Sequence, residues 1–193
     1  MDLIRRSCRV ALEALALALA ACGGSASPSP ATPDAPGRVV EVGPTEQLHA
    51  LLAIGLDPER LPRLGDVPGA AMKPLMETFD DSLDACCEDC HVKNDPRAPT
   101  KAKRISGEMW QRFTRELVTQ DGSPAYCDTC HKGAVRFLDR RDPAALRAWM
   151  RDNFVARLRK RDGGAVECAT CHGEPFEPRI VDRLWLAEGG EAR

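Results

Sequence analysis

The stretch Cys127-Asp128-Thr129-Cys130-His131 decides how this chain is read. Its two thiols are three residues apart, about one helical turn, and a histidine follows the second directly. The pattern recurs at Cys87-Glu88-Asp89-Cys90-His91 and at Cys168-Ala169-Thr170-Cys171-His172. Seven of the nine cysteines lie between residues 86 and 171. One such motif can arise by chance; three in one chain ask for a common chemistry.

That chemistry is covalent haem. Thiols one turn apart match the two vinyl groups on one edge of a porphyrin, and the histidine that follows supplies the proximal ligand to iron. Zinc takes C-x-x-C units two at a time, and three units leave one over. A redox dithiol would follow a strand in a βαβ setting, which is absent here. Neither alternative explains why histidine follows all three pairs. Three c-type haems are therefore expected on Cys87 and Cys90, Cys127 and Cys130, and Cys168 and Cys171. Their axial histidines are His91, His131 and His172. Cys86 makes a C-x-x-x-C-H register formally possible at the first site, but both other sites use two intervening residues. It is expected to be a free thiol near the ring, a small hydrophobe without function.

A low-spin electron carrier needs a second axial ligand on each iron, and His49 is the one histidine outside the motifs. Methionine fills the gap, and an internal repeat says where. Met109 lies 18 residues before Cys127 and Met150 lies 18 residues before Cys168. A shift of 41 residues also superposes Phe113 on Phe154, Leu117 on Leu158, Asp121 on Asp162 and Gly122 on Gly163. Met109, Phe113 and Leu117 are spaced to share one helix face, as are Met150, Phe154 and Leu158. Such a stripe alone reads as core; at a constant offset from a haem motif it nominates Met109 and Met150 as sixth ligands. In the first unit Met76 lies 11 residues before Cys87, with Met72 one turn earlier on the same face. The shorter loop favours Met76. His49 lies in a helix expected over Thr45 to Ile54, capped by Thr45. It reads as an exposed histidine, or else as a substitute for Met150 at the third haem.

Residues 38 to 133 resemble the cytochrome c subunit family of photosynthetic reaction centres and its smaller relatives in non-photosynthetic bacteria. The pieces that carry the resemblance are Val39-Val40-Glu41-Val42, Met76, Ser82-Leu83 and Cys87 through His91-Val92. They continue with Lys101-Ala102-Lys103-Arg104, Met109 and Cys127 through His131-Lys132-Gly133. The resemblance implies Met76 and Met109 as axial ligands. It covers about half the chain, departs from the family at Asp84-Ala85, and does not reach the third motif. It carries no implication of photosynthesis.

The expected fold is mainly α: a multihaem cytochrome c of helix–loop–C-x-x-C-H repeats, whose core is largely haem. Nine aromatic residues would otherwise make a modest core for 193 residues. Asp142-Pro143 reads as an N-cap with Pro at N1, opening a helix through about Arg159. Another helix starts at, or contains, Gly107. Strand signals are nearly absent, with only Arg38 to Val42 β-like.

Residues 1–21 are expected to be a lipoprotein signal peptide. Arg5, Arg6 and Arg9 precede a short apolar run, Val10 to Ala21, and Leu19-Ala20-Ala21-Cys22 resembles a lipobox. Cys22 would then carry the lipid, and residues 22–37, rich in Ser, Pro and Ala, would be a flexible tether. Residues 38–193 form the triheme domain. This places the chain on the periplasmic side of a bacterial membrane, the outer membrane in preference to the inner. The formal net charge of −2 gives no case for nucleic acid.

Charge is unevenly spread. Glu77 to Asp95 holds seven acids and one lysine, whereas Lys132 to Arg161 holds ten bases and three acids. These are solvated faces, or docking surfaces for oppositely charged redox partners. The expected function is electron relay without catalytic residues. The competing reading is a haem enzyme or sensor with an open sixth position on the third haem.

Overall fold

The computed structural model describes residues 42–138, 140–177 and 179–180. The signal peptide, Cys22, the tether and the β-like lead-in at 38–41 lie outside the described residues. What is described is mainly helical, with no closed sheet.

The first element of the described residues is α1 (Leu48–Ala53), preceded by a segment held by a residue far away in sequence. The carboxylate of Asp128 accepts from Thr45 Oγ1 at 2.6 Å and from the amide of Gln47 at 3.3 Å. Thr45 Oγ1 also accepts from the Gln47 amide at 3.1 Å. The helix therefore starts later than expected, at Leu48, and its N-cap is Gln47 with no side-chain cap bond; Thr45 does not cap it but donates to the buried Asp128. A 3-10 turn at Leu64–Asp66 leads into α2 (Gly69–Leu83). Ala71, Leu75, Thr78 and Ser82 are buried along one stripe of α2, with Met72, Met76 and Phe79 beside it. The helix ends at Asp84, whose φ of 50° is left-handed.

The first motif forms α3 (Cys87–Cys90), a single turn. The other two units are built alike. The first of them runs through α4 (Lys101–Met109), a π-turn (Trp110–Thr114), β1 (Leu117–Thr119) and α5 (Cys127–His131). The second runs through α6 (Pro143–Met150), a π-turn (Arg151–Val155), β2 (Leu158–Lys160) and α7 (Cys168–His172). Asp142 caps α6 through the amides of Ala144 and Ala145, as its place before a proline predicts.

Two expectations are corrected here. The helical stripes Met109-Phe113-Leu117 and Met150-Phe154-Leu158 do not continue to the leucine. The amide of Arg115 bonds the Trp110 carbonyl five residues back, and Ala156 does the same with Arg151. Each helix widens into a π-turn and stops, so the segment from Asp142 is not helical through Arg159. The leucines instead begin strands, and the region read as nearly strand-free holds a two-stranded sheet.

That sheet relates the two units by a local twofold. β1 and β2 pair antiparallel with Leu117 opposite Lys160, Val118 opposite Arg159 and Thr119 opposite Leu158. Val118 and Arg159 are equivalent under the 41-residue shift, and the flanking pairs exchange places about them. The bonds outside the ladder obey the same symmetry: Gln120 N to the Arg157 carbonyl, and Arg161 N to the Glu116 carbonyl. Each strand also turns back on itself, Val118 bridging Pro124 and Arg159 bridging Ala165. The turns need a left-handed residue, which Gly122 (φ 88°) and Gly163 (φ 89°) provide.

Two clusters form the core. One gathers Leu51, Leu56, Leu61, Val67, Ala71, Leu75, Trp110 and Tyr126 between α1, α2 and the second unit. In it Phe79, Trp110 and Tyr126 pack ring against ring at 5.8–6.3 Å. The Tyr126 hydroxyl donates to Thr78 Oγ1 at 2.6 Å, since Thr78 spends its own proton on the Leu75 carbonyl. The other cluster straddles the local twofold, pairing Leu117 with Leu158, Ala125 with Val166 and Phe113 with Phe154. No described helix is long and apolar enough to cross a membrane.

Candidate functional site

Each C-x-x-C-H is a one-turn helix made by its own residues. The third residue of each motif reaches back to the amide just before the first cysteine. Asp89 Oδ2 accepts from Cys86 N at 2.7 Å, Thr129 Oγ1 from Tyr126 N at 2.9 Å, and Thr170 Oγ1 from Glu167 N at 3.0 Å. A side chain that closes the first turn is what so short a helix needs. The recurrence of Asp, Thr and Thr at this place is visible in the sequence, yet only the geometry gives it a meaning.

The histidines share a second feature. His91 Nδ1 is 2.9 Å from the Pro96 carbonyl, His131 Nδ1 is 2.8 Å from that of Ala134, and His172 Nδ1 is 2.8 Å from that of Glu177. A carbonyl can only accept, so Nδ1 carries the proton in all three. Nε2 is left with its lone pair, the state in which imidazole binds a metal. Burial also holds the His131 imidazole below its usual range, favouring the neutral form. Phe137 lies edge-on to His131 at 4.9 Å, and Phe176 packs on His172 at 4.8 Å.

The six motif cysteines are free thiols. Burial pushes Cys127 and Cys130 up to about 12 and Cys171 to about 11, and raises Cys90 as well. A redox dithiol needs the opposite, a stabilised thiolate. Cys171 is near enough to Cys130 to raise it electrostatically, and the two are equivalents across the local twofold. Among the described residues, no three His, Cys, Asp or Glu side chains converge on a point that could hold a metal ion. Cys86 corrects an expectation: it is disulfide-bonded, not a free thiol.

The methionines are placed unequally. Met109 and Met150 are the last residues of α4 and α6, each half-buried where the helix opens into its π-turn. Met76 and Met72 both pack half-buried against the first core cluster, which does not separate them. The cluster also takes in Cys127 of the second motif. α2 packs chiefly on α5, and α3 packs on α4. The helix bearing Met76 thus borders the second motif, and the helix bearing Met109 borders the first. His49 is exposed on α1, which packs on α2.

Aromatic rings do more than the sequence suggested. His131, Phe137, Trp149, Phe154 and Phe113 form a chain with successive centroids 4.9, 5.6, 5.0 and 6.4 Å apart. It runs from the second motif into the third unit and back across the twofold. Asp128 is the other residue whose importance the sequence hid. An intervening residue of the second motif, it is buried and anchors residues 45–47.

No protein-family model matches this chain, and comparison with curated proteins and with solved structures finds none similar to it.

Proposed function

We propose that the chain is a triheme c-type cytochrome, exported and lipid-anchored through Cys22, that relays electrons between redox partners. The observation that carries this reading is the repeated histidine geometry. In three separate turns Nδ1 is committed to a carbonyl, and Nε2 is kept free beside a pair of thiols one turn apart. Zinc would require those thiols and the imidazole to converge, and the described residues hold no such cluster. A dithiol oxidoreductase would require low thiol pKa values, and burial pushes those of Cys127, Cys130 and Cys171 up.

The residues fit haem. Cys87 and Cys90, Cys127 and Cys130, and Cys168 and Cys171 would form the thioether links. His91, His131 and His172 would be the proximal ligands. When bound, each haem supplies a one-electron iron couple. The protein's part is to hold each imidazole in one tautomer and one orientation, through the Pro96, Ala134 and Glu177 carbonyls. Met76, Met109 and Met150 are the sixth ligands of this reading, and methionine sulfur raises the potential relative to a second histidine. A half-buried methionine at a π-turn suits the role, because π-turns re-aim side chains at functional positions. The local twofold relates the second and third motif units, whose strands pair at Val118 and Arg159.

The test is the absorption spectrum of the reduced protein with and without carbon monoxide. Three six-coordinate haems leave the spectrum unchanged. Binding of carbon monoxide at the third haem would instead favour an enzyme or sensor with an open iron there.

A further inference from the structure

The three proximal histidines differ in one respect, and it involves Lys103. The Pro96 carbonyl that accepts from His91 Nδ1 also accepts from Lys103 Nζ, at 3.0 Å. The same ammonium group donates to the Arg97 carbonyl at 3.1 Å and the Ala98 carbonyl at 2.8 Å. Lys103 therefore closes the loop after the first motif with a positive charge placed on the acceptor of the proximal histidine. Its position is fixed from both sides. Thr100 caps α4 by accepting from the Lys103 amide, and its hydroxyl bonds the Cys90 carbonyl at 2.6 Å. In the other two units the Ala134 and Glu177 carbonyls are held by the histidine with no lysine beside them in the described bonds.

We propose that Lys103 is a positioning and tuning residue for the first haem, acting through the Pro96 carbonyl on His91. This rests on the triheme reading above. A carbonyl that accepts from imidazole N–H pushes electron density toward the metal-binding nitrogen. A cation on the same oxygen withdraws that density, leaving His91 a weaker donor than His131 or His172. A weaker donor favours the reduced iron, as does the positive charge itself. Lys103 thus offsets, at the first site, the acidic surroundings from Glu77 to Asp95, which favour the oxidised form.

The experiment is spectroelectrochemistry of the full-length holoprotein with Lys103→Met, Lys103→Arg and, as a control, Lys101→Met. The signals of the first haem are assigned by their loss in Cys87→Ala/Cys90→Ala. Lys103→Met is expected to shift the oxidised-to-reduced equilibrium of that haem about tenfold toward oxidation. That corresponds to about 59 mV for a one-electron couple. The other two haems keep their potentials, Lys103→Arg restores most of the shift, and Lys101→Met has little effect. The hyperfine-shifted Nδ1 proton of His91 moves in Lys103→Met alone. An unchanged first haem in both Lys103 variants would overturn the proposal, as would an equal shift in Lys101→Met. A haem content below three in the unmodified protein would instead count against the triheme reading, separately from the role of Lys103.

Discussion

Val118 pairs with Arg159, the residue 41 positions further along, at the centre of a two-stranded antiparallel ladder. Two copies of one unit therefore meet at their own equivalent residues, and Phe113 meets Phe154 across the same axis at 6.4 Å. A duplicated segment that packs on itself in this way sets two motif turns in a fixed mutual arrangement. The first motif stands outside this pair, tied in through α2, Trp110 and Tyr126.

The methionines can be separated by substitution. Met109→Ala and Met150→Ala should each open one haem in three to carbon monoxide and lower its potential. Met72→Ala and His49→Ala should do neither. Met76→Ala carries extra information, because α2 lies on the second motif. The haem that responds shows whether Met76 serves the first or the second site. Magnetic circular dichroism in the near infrared reads the loss of sulfur ligation directly.

Asp128 should matter for stability beyond its place in a motif. Its carboxylate is buried and holds Thr45 and the amide of Gln47. Asp128→Ala leaves those donors unsatisfied at a cost of about 1–3 kcal/mol. Denaturant unfolding should show that loss, and hydrogen exchange should speed up at residues 45–47. An effect below about 0.5 kcal/mol, the level of an ordinary surface change, would deny the anchor.

The turn after β1 should weaken in acid. Thr119 Oγ1 and the Ser123 amide donate to the Asp121 carboxylate and hold it below the usual carboxylate range. A depressed folded pKa means stability that is present above the unfolded value of about 3.9 and lost as pH falls through the folded one. Asp121→Asn should therefore flatten the acid limb of the stability profile by lowering stability near neutrality while changing little at the acid end. Thermal melts from pH 2 to pH 7 decide this.

How much of this was legible in the sequence varies with the kind of feature. The motifs, the 41-residue repeat and the Asp142 cap were plain, because each depends on residue type at fixed local spacing. The π-turns were not, since Met109-Phe113-Leu117 fits a helix as well as it fits a helix that widens and stops. The strands hid for a different reason. Leu117-Val118-Thr119 and Leu158-Arg159-Lys160 are three residues each and gain their pairing only from one another. The histidine acceptors were invisible, because a backbone carbonyl leaves no mark on residue type. Lys103 stood in the sequence only as part of a basic run that carries the family resemblance, with nothing to tie it to a histidine.

The charge asymmetry has a kinetic consequence. Glu77, Asp81, Asp84, Glu88, Asp89 and Asp95 are all exposed around the first motif. In the basic half, Arg161 is partly taken up by Glu59 at 2.7 Å, while Arg136, Arg140 and Arg147 are exposed. A cationic redox partner should reduce the protein through the first haem at a rate that falls steeply as salt rises from about 0.01 to 0.15 M. Stopped-flow reduction with no ionic-strength dependence would remove the docking role from these faces.

The central claim is tested most directly by the number of covalent haems on the mature chain. The protein is produced in a host with c-type haem maturation, and the haem count is taken from intact mass and from the pyridine haemochrome. Three haems per chain are predicted, falling to two in each of Cys87→Ala/Cys90→Ala, Cys127→Ala/Cys130→Ala and Cys168→Ala/Cys171→Ala. A chain that matures without haem, or binds zinc in its place, would contradict the account.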